Sequence, residues 1–206
     1  MADFEVKIDL GNVDRLISDL DKVKKINLDV GVEEGLTYDN GTPIAEVATY
    51  LEYGWVQAVT GKQRGWLAHT HNIHLKTSTL TMPPRPIFGY TAQTRKGTWQ
   101  KVGARLLKNF VLNPYQIAFN AFKQLGIMAV QDLQTTIHTN GKGTFAARSP
   151  LTLLMYGKTL DEHQPKGVRE TLKKRNISLK NNSDATKALE LDGRLLRSIT
   201  YDINGI

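Results

Sequence analysis

At 206 residues and 40% hydrophobic content, the chain is long enough to bury one substantial core, and a single domain is the default. It contains no cysteine, which excludes disulfides and thiolate metal sites and accords with an intracellular origin. The net charge of +7 is unevenly laid out: residues 1–34 hold nine acids and five Lys or Arg, whereas Tyr53 to Gln131 holds ten Lys or Arg and no Asp or Glu. A folded surface built from that stretch is positive and attracts a polyanion or an acidic protein face in a salt-sensitive way; the plainer account is a solvated basic face. No basic head precedes an apolar run in the first 30 residues, and no apolar stretch nears the roughly 20 residues that span a bilayer. A soluble protein without a membrane partner is expected.

In chain order, Phe4, Val6 and Ile8 alternate with charged residues and predict a strand. Gly11-Asn12 interrupts. Val13, Leu16, Ile17, Leu20 and Val23 then recur at helical spacing, with Asn12 as cap, and Ile26, Leu28, Val30 and Val32 alternate again. Strand, helix and strand in about 30 residues place the helix on one face of a small sheet. Asp39-Asn40-Gly41 is a turn, and Thr42-Pro43 opens a second helix that buries Ile44, Val47, Ala48 and Leu51 and stops at Gly54. From Trp55 to Met82 the chain is rich in Val, Thr and Trp and is split by Gly61-Lys62-Gln63-Arg64-Gly65. This pattern predicts a projecting hairpin, with strands from Trp55 to Thr60 and from Gly65 to Thr81 and a basic tip.

Pro83-Pro84-Arg85-Pro86 turns the chain and starts a helix carrying Phe88, Trp99, Val102, Leu106 and Phe110, with a break near Gly97. The longest helix follows, from Asn113-Pro114 to Asn140-Gly141. Its Ile117, Ala118, Ala121, Phe122, Leu125, Met128, Ala129 and Leu133 cover roughly 160° of arc, widened by Phe119, Val130 and Ile137, so it is covered on more than one side. Asp132 falls inside this arc and is expected to pair with an Arg from elsewhere rather than to act as a functional carboxylate. Ser149-Pro150 caps a short helix through Leu153 and Met155, residues 157–187 form a polar loop insertion, and Leu189, Leu191, Leu195 and Leu196 precede a closing strand at Ile199, Tyr201 and Ile203. The expected class is α+β: a small antiparallel sheet packed against helices, one of them long and central, with a projecting β-hairpin.

The chemistry-bearing patterns are few. On a strand, His69 and His71 share a face, a spacing that can hold a metal ion, but His74 would lie on the other face and no carboxylate is near in sequence; surface or packing histidines are the simpler account. Gly141-Lys142-Gly143-Thr144 looks like a phosphate loop but lacks the earlier glycine, which is Thr136, and the Ser or Thr after the lysine. No nucleophile and base converge, so no enzyme and no cofactor are expected. Trp55, Trp66, Tyr90 and Trp99 within the basic stretch make a stacking platform for single strands conceivable, although core or subunit contacts suit them better.

Taken in order, several short motifs resemble the neck and tail-completion (head–tail connector) family of tailed bacteriophages and are similar to Mu-type virion-morphogenesis proteins. They are Val30-Gly31-Val32; Ile44-Ala45-Glu46-Val47-Ala48 leading into Leu51-Glu52-Tyr53-Gly54; Pro83-Pro84-Arg85-Pro86-Ile87-Phe88; Gly126 followed by Ala129-Val130-Gln131; Ser149-Pro150-Leu151-Thr152; and Leu191-Asp192-Gly193-Arg194-Leu195-Leu196-Arg197-Ser198-Ile199. The departures are the long segment before Pro83 and the polar insertion from Gly157 to Lys187. The resemblance implies a non-enzymatic virion protein at the head–tail junction. It would form a homo-oligomeric ring, a hexamer, around the channel for genomic DNA, with connector and tail proteins as neighbours. A tail terminator ring is a variant of that expectation, and a free basic DNA-binding protein is the alternative from another class. Candidate interface or DNA-facing residues are Lys62, Arg64, Lys76, Arg85, Asp192 and Arg194; for Arg85, a rigid turn whose Arg pairs locally is the simpler account.

Overall fold

The structure is a computed structural model that describes residues 11–71, 73–108, 110, 113–146 and 193–205. Among these the class is α+β, with six helices and four strands in two small antiparallel pairs.

Helix α1 (Gly11–Val23) follows its predicted spacing, and Leu16, Leu20 and Val23 turn inward while Val13 and Ile17 stay exposed. Its wet face carries the pairs Lys22–Asp19 and Lys24–Asp21, each worth a few tenths of a kcal/mol. Strand β1 (Asn27–Val32) pairs not with a neighbour in sequence but with the closing strand, β4 (Ile199–Asn204). Glu33 N donates to Ser198 O at 2.8 Å, and Asn204 Nδ2 donates to Asp29 Oδ2 at 2.8 Å, so the two run antiparallel. The strand expected at Phe4 to Ile8 lies outside the described residues.

The Asp39-Asn40-Gly41 turn forms as predicted: Gly41 sits at φ 81°, and Asn40 Oδ1 accepts from Thr42 N. Helix α2 (Ile44–Tyr53) then buries Ile44 and Ala48, with Val47 and Leu51 half-buried, and stops at Gly54, whose φ of 70° favours glycine. Strand β2 (Trp55–Ala58) pairs antiparallel with β3 (Thr79–Met82), Trp55 facing Met82 and Ala58 facing Thr79.

Between these strands the expected long hairpin is replaced by a helix. The presumed tip and the first part of the presumed second strand form α3 (Gly61–His71), and from Ile73 to Thr77 the chain has no regular structure. Thr60 and Gln63 explain it. Thr60 Oγ1 accepts from Gln63 N at 3.2 Å, and Gln63 Oε1 accepts from Thr60 N at 2.9 Å, a reciprocal capping box that satisfies two donors at a helix start. Leu67 and Ile73 are the buried residues of this excursion.

Helix α4 (Ile87–Leu106) runs unbroken through Gly97, where a break was expected. A single glycine costs an exposed helix only about 1 kcal/mol, too little to stop a 20-residue element. Helix α5 (Pro114–His138) has the predicted limits: Asn113 Oδ1 accepts from Gln116 N, and Asn140 and Gly141 take positive φ at the far end. A four-residue helix, α6 (Arg194–Arg197), leads into β4.

Two compact units emerge, with boundaries inside α4 and α5. The first holds described residues within 11–31, 93–132 and 199–205. Its elements meet through small residues: a Cβ on Gly126 of α5 would run into the Tyr201 ring of β4, and one on Gly103 of α4 would lie 3.4 Å from Leu125 Cδ1 of α5. Ala118, Ala121, Ala129, Ile26 and Ile199 are its buried apolar residues among those described. Asp132 pairs as expected, with Arg95 Nε 3.0 Å from its Oδ2 and Trp99 Nε1 donating to the same oxygen at 2.7 Å. The second unit holds 32–92, 133–146 and 193–198, with a core of Ile44, Ala48, Leu67, Ile73, Ile87, Leu133, Ile137, Phe145 and Leu195. Full burial of Ile87 and Ile137 contributes about 1.5–3 kcal/mol each. Thr91 and Thr136 are buried with them and satisfy each other at 2.7 Å.

Candidate functional site

The organised polar site of the second unit is a clasp between the end of α2 and the start of α4. Pro84 and Pro86 hold the intervening chain away from helix and strand, and leave it few backbone donors. The Arg85 N–H is used: it donates to Leu51 O at 2.6 Å. Phe88 and Gly89 occupy the first turn of α4, where N–H groups have no intrahelical acceptor. Glu52 supplies one for each, Oε2 accepting from Phe88 N and Oε1 from Gly89 N, both at 2.9 Å. A carboxylate at a helix N-terminus is also favoured by the helix dipole.

Two glycines make room for the clasp. A Cβ on Gly54 would lie 2.6 Å from Met82 O and 2.9 Å from Pro84 N, and one on Gly89 would lie 3.1 Å from Glu52 Oε1. Arg85 is only 5% exposed, and its Nε donates to Ala146 O at 2.9 Å. A guanidinium so enclosed is costly unless hydrogen-bonded, so Arg85 acts by fixing the chain after α5 against the Pro-rich turn. Nearby on α2, Tyr50 Oη donates to Glu46 Oε1 at 2.6 Å; that hydrogen bond, then the Glu46 charge, then burial raise the Tyr50 pKa above its usual 10.0.

The predicted interface residues divide sharply. Lys62 in the first turn of α3 and Lys76 in the segment before β3 are exposed. Arg64 is not a free tip residue: its Nη1 donates to Leu75 O at 2.5 Å and its Nη2 to Thr77 O at 2.6 Å, which ties that segment to α3. Arg85 is buried and reaches Ala146 rather than a partner near in sequence, so it presents little surface outward. Arg194 pairs with Asp39 at 2.6 Å, an exposed ion pair worth at most about 1 kcal/mol, and Asp192 lies outside the described residues.

The histidine geometry also changes. His69 lies on helix α3 rather than on a strand, so the two-residue strand spacing that would have put it on one face with His71 does not apply. His74 lies beyond the helix and is exposed. No group of three metal-ligating side chains occurs among the described residues. The turn of Gly141 to Thr144 caps α5 instead of cradling a phosphate: Gly141 N donates to Thr136 O, and Thr144 Oγ1 donates to Gly141 O at 2.7 Å.

The residue that sequence reasoning missed is Glu52. Its signal was present, since it is followed by Gly54 and faced in sequence by a Pro-rich helix start, but its partners are 36 and 37 residues away. Around α2, β2 and α3 the surface exposes large apolar groups, with Tyr53 at 78%, Val56 at 69% and Trp66 at 51%. No family model, no curated protein and no solved structure matches this chain.

Proposed function

We propose that this chain is a non-enzymatic structural protein of a tailed-phage neck, a ring of identical copies at the head–tail junction that joins or completes the tail around its DNA channel. The observation that carries the reading is the clasp. Leu51-Glu52-Tyr53-Gly54 and Pro83-Pro84-Arg85-Pro86-Ile87-Phe88 resemble the connector family as separate short motifs, and they engage one another through Arg85 N, Glu52 and Gly54. Motifs that make each other's contacts behave as one unit, which a chance series of short likenesses has no reason to do. The acid-free stretch from Tyr53 to Gln131 supports a further part of it. Exposed Tyr53, Val56 and Trp66 supply apolar anchors, with Lys62 and Lys76 as free cations, for an acidic neighbouring ring.

The same acid-free stretch favours a second reading, a free DNA-binding protein. Light scattering of the purified chain with and without tails from its source, with electron microscopy of the mixture, separates the two. Closed rings that add density at the head-proximal end of tails are the expected result, and a tail terminator would share it. A monomer that ignores tails and shifts DNA at low salt sinks the neck reading in favour of the second.

A further inference from the structure

We infer that the solvent face of α4 is a contact site for the phosphate backbone of duplex DNA. At about 100° per residue, Lys101, Arg105 and Lys108 fall within about 60° of one another, Lys108 lying in the turn that directly continues the helix. All three are exposed, and none has a carboxylate partner among the described residues. Gly97 and Ala104, both exposed and both small, border this arc on the Lys108 side. Nothing lies within 4 Å of a Cβ built on Gly97, so a polymer can approach the helix closely there.

Along α4 and α5 themselves, compensating charge is scarce. Asp132 is the one carboxylate in the sequence of α4 or α5, and it is held by Arg95 and Trp99, which lie about 120° and 160° around α4 from Lys101. The C-terminal dipole of α4 favours cations in its last turn, which accounts for Arg105 and Lys108, but Lys101 lies more than a turn before the helix end.

The geometry favours nucleic acid over an acidic protein. The three cations span about 10 Å along the helix, the axial length of about three phosphates on one DNA strand, and their long stems absorb the mismatch in direction. Protein interfaces need desolvated apolar or aromatic anchors, and from Thr94 to Lys108 this arc and its border offer, besides the cations, Thr94, Gly97 and Ala104; the exposed Leu107 is about 120° away from Lys101. Backbone contact needs only cations and close approach, and it carries no base specificity. The inference does not depend on the neck reading, because it concerns the free chain.

The test is fluorescence anisotropy of the full chain with a 25-base-pair duplex of arbitrary sequence, titrated between about 25 and 200 mM NaCl. Lys101→Gln/Arg105→Gln is compared with Lys96→Gln/Lys142→Gln, which removes the same charge at two exposed lysines off this arc, Lys96 lying about 140° around α4 from Lys101. The expected result is a roughly tenfold to hundredfold loss of affinity at about 50 mM salt for the α4 variant, with its log–log salt slope shallower by about 2. The control is expected to change by less than about threefold, and circular dichroism melts check that both variants fold. Equal losses in the two variants would reduce the effect to net charge and overturn the site. Absence of DNA binding by the unaltered chain, or an equal loss of polyglutamate binding in the α4 variant, would overturn it as well.

Discussion

At the scale of single residues, the tightest requirements fall where one atom too many has no place to go. Gly126 is such a position. Its missing side chain is the floor on which the Tyr201 ring rests, at a separation that no real Cβ contact shows. Gly126→Ala forces the ring or the α5 backbone to move, because a packed interior has few voids to absorb a methyl group. The expected cost is about 1–3 kcal/mol, offset only in part by the gain in helix propensity, and urea denaturation measures it. Gly126→Ala/Tyr201→Leu is expected to recover some of that loss, which would trace it to the ring. The glycine itself stood out in the sequence, sitting inside a strongly apolar helix; its partner did not, because 75 residues separate them and periodicity carries no information on which side chain arrives from a distant strand.

At the scale of elements, the outcome was set by whether the signal was local. Helices α1, α2 and α5 and strands β1 and β4 followed the sequence pattern closely, as did the turns at Gly41 and Gly141, because apolar period and cap chemistry act within a few residues; α4 formed where expected but ran through Gly97 and stopped at Leu106, short of Phe110. The segment from Gly61 to His71 did not. Its composition of Gly, Thr, His and Trp suggested strand and turn, and its apolar periodicity as a helix is nearly absent, so the capping box at Thr60 and Gln63 was the one local clue. Such a helix leans heavily on its start. Thr60→Ala is expected to cost about 0.5–2 kcal/mol, concentrated in α3, and faster amide exchange across Arg64 to Leu67 with little change in α5 would show it. The interface candidates fared according to the same rule. Exposure of Lys62 was legible, whereas the capture of Arg64 by Leu75 and Thr77 and the burial of Arg85 depend on segments that fold back from elsewhere.

At the scale of the whole molecule, the sequence conveyed the α+β class and the long helix, and it conveyed charge polarity, but not pairings between remote parts. The β1–β4 pair joins strands about 170 residues apart, and the division into two units falls inside two continuous helices, where no composition shift marks a boundary. The clasp belongs to the same class of long-range features. One consequence concerns time rather than stability. Amide protons in the first turn of a helix ordinarily trade with water almost as fast as those of an open peptide, since nothing inside the helix holds them. In α4 the Phe88 and Gly89 protons are held by Glu52, so they are released only when α2 lets go, while protons in the middle of the helix wait for unwinding. Two amides thereby act as a clock for detachment of α2 alone. With Glu52→Gln their exchange is expected to speed up roughly tenfold, the equivalent of about 1.4 kcal/mol, at rates unchanged in mid-helix, as followed by hydrogen–deuterium exchange. Any partner that grips both sides of the clasp would slow that clock without touching a single bond in it.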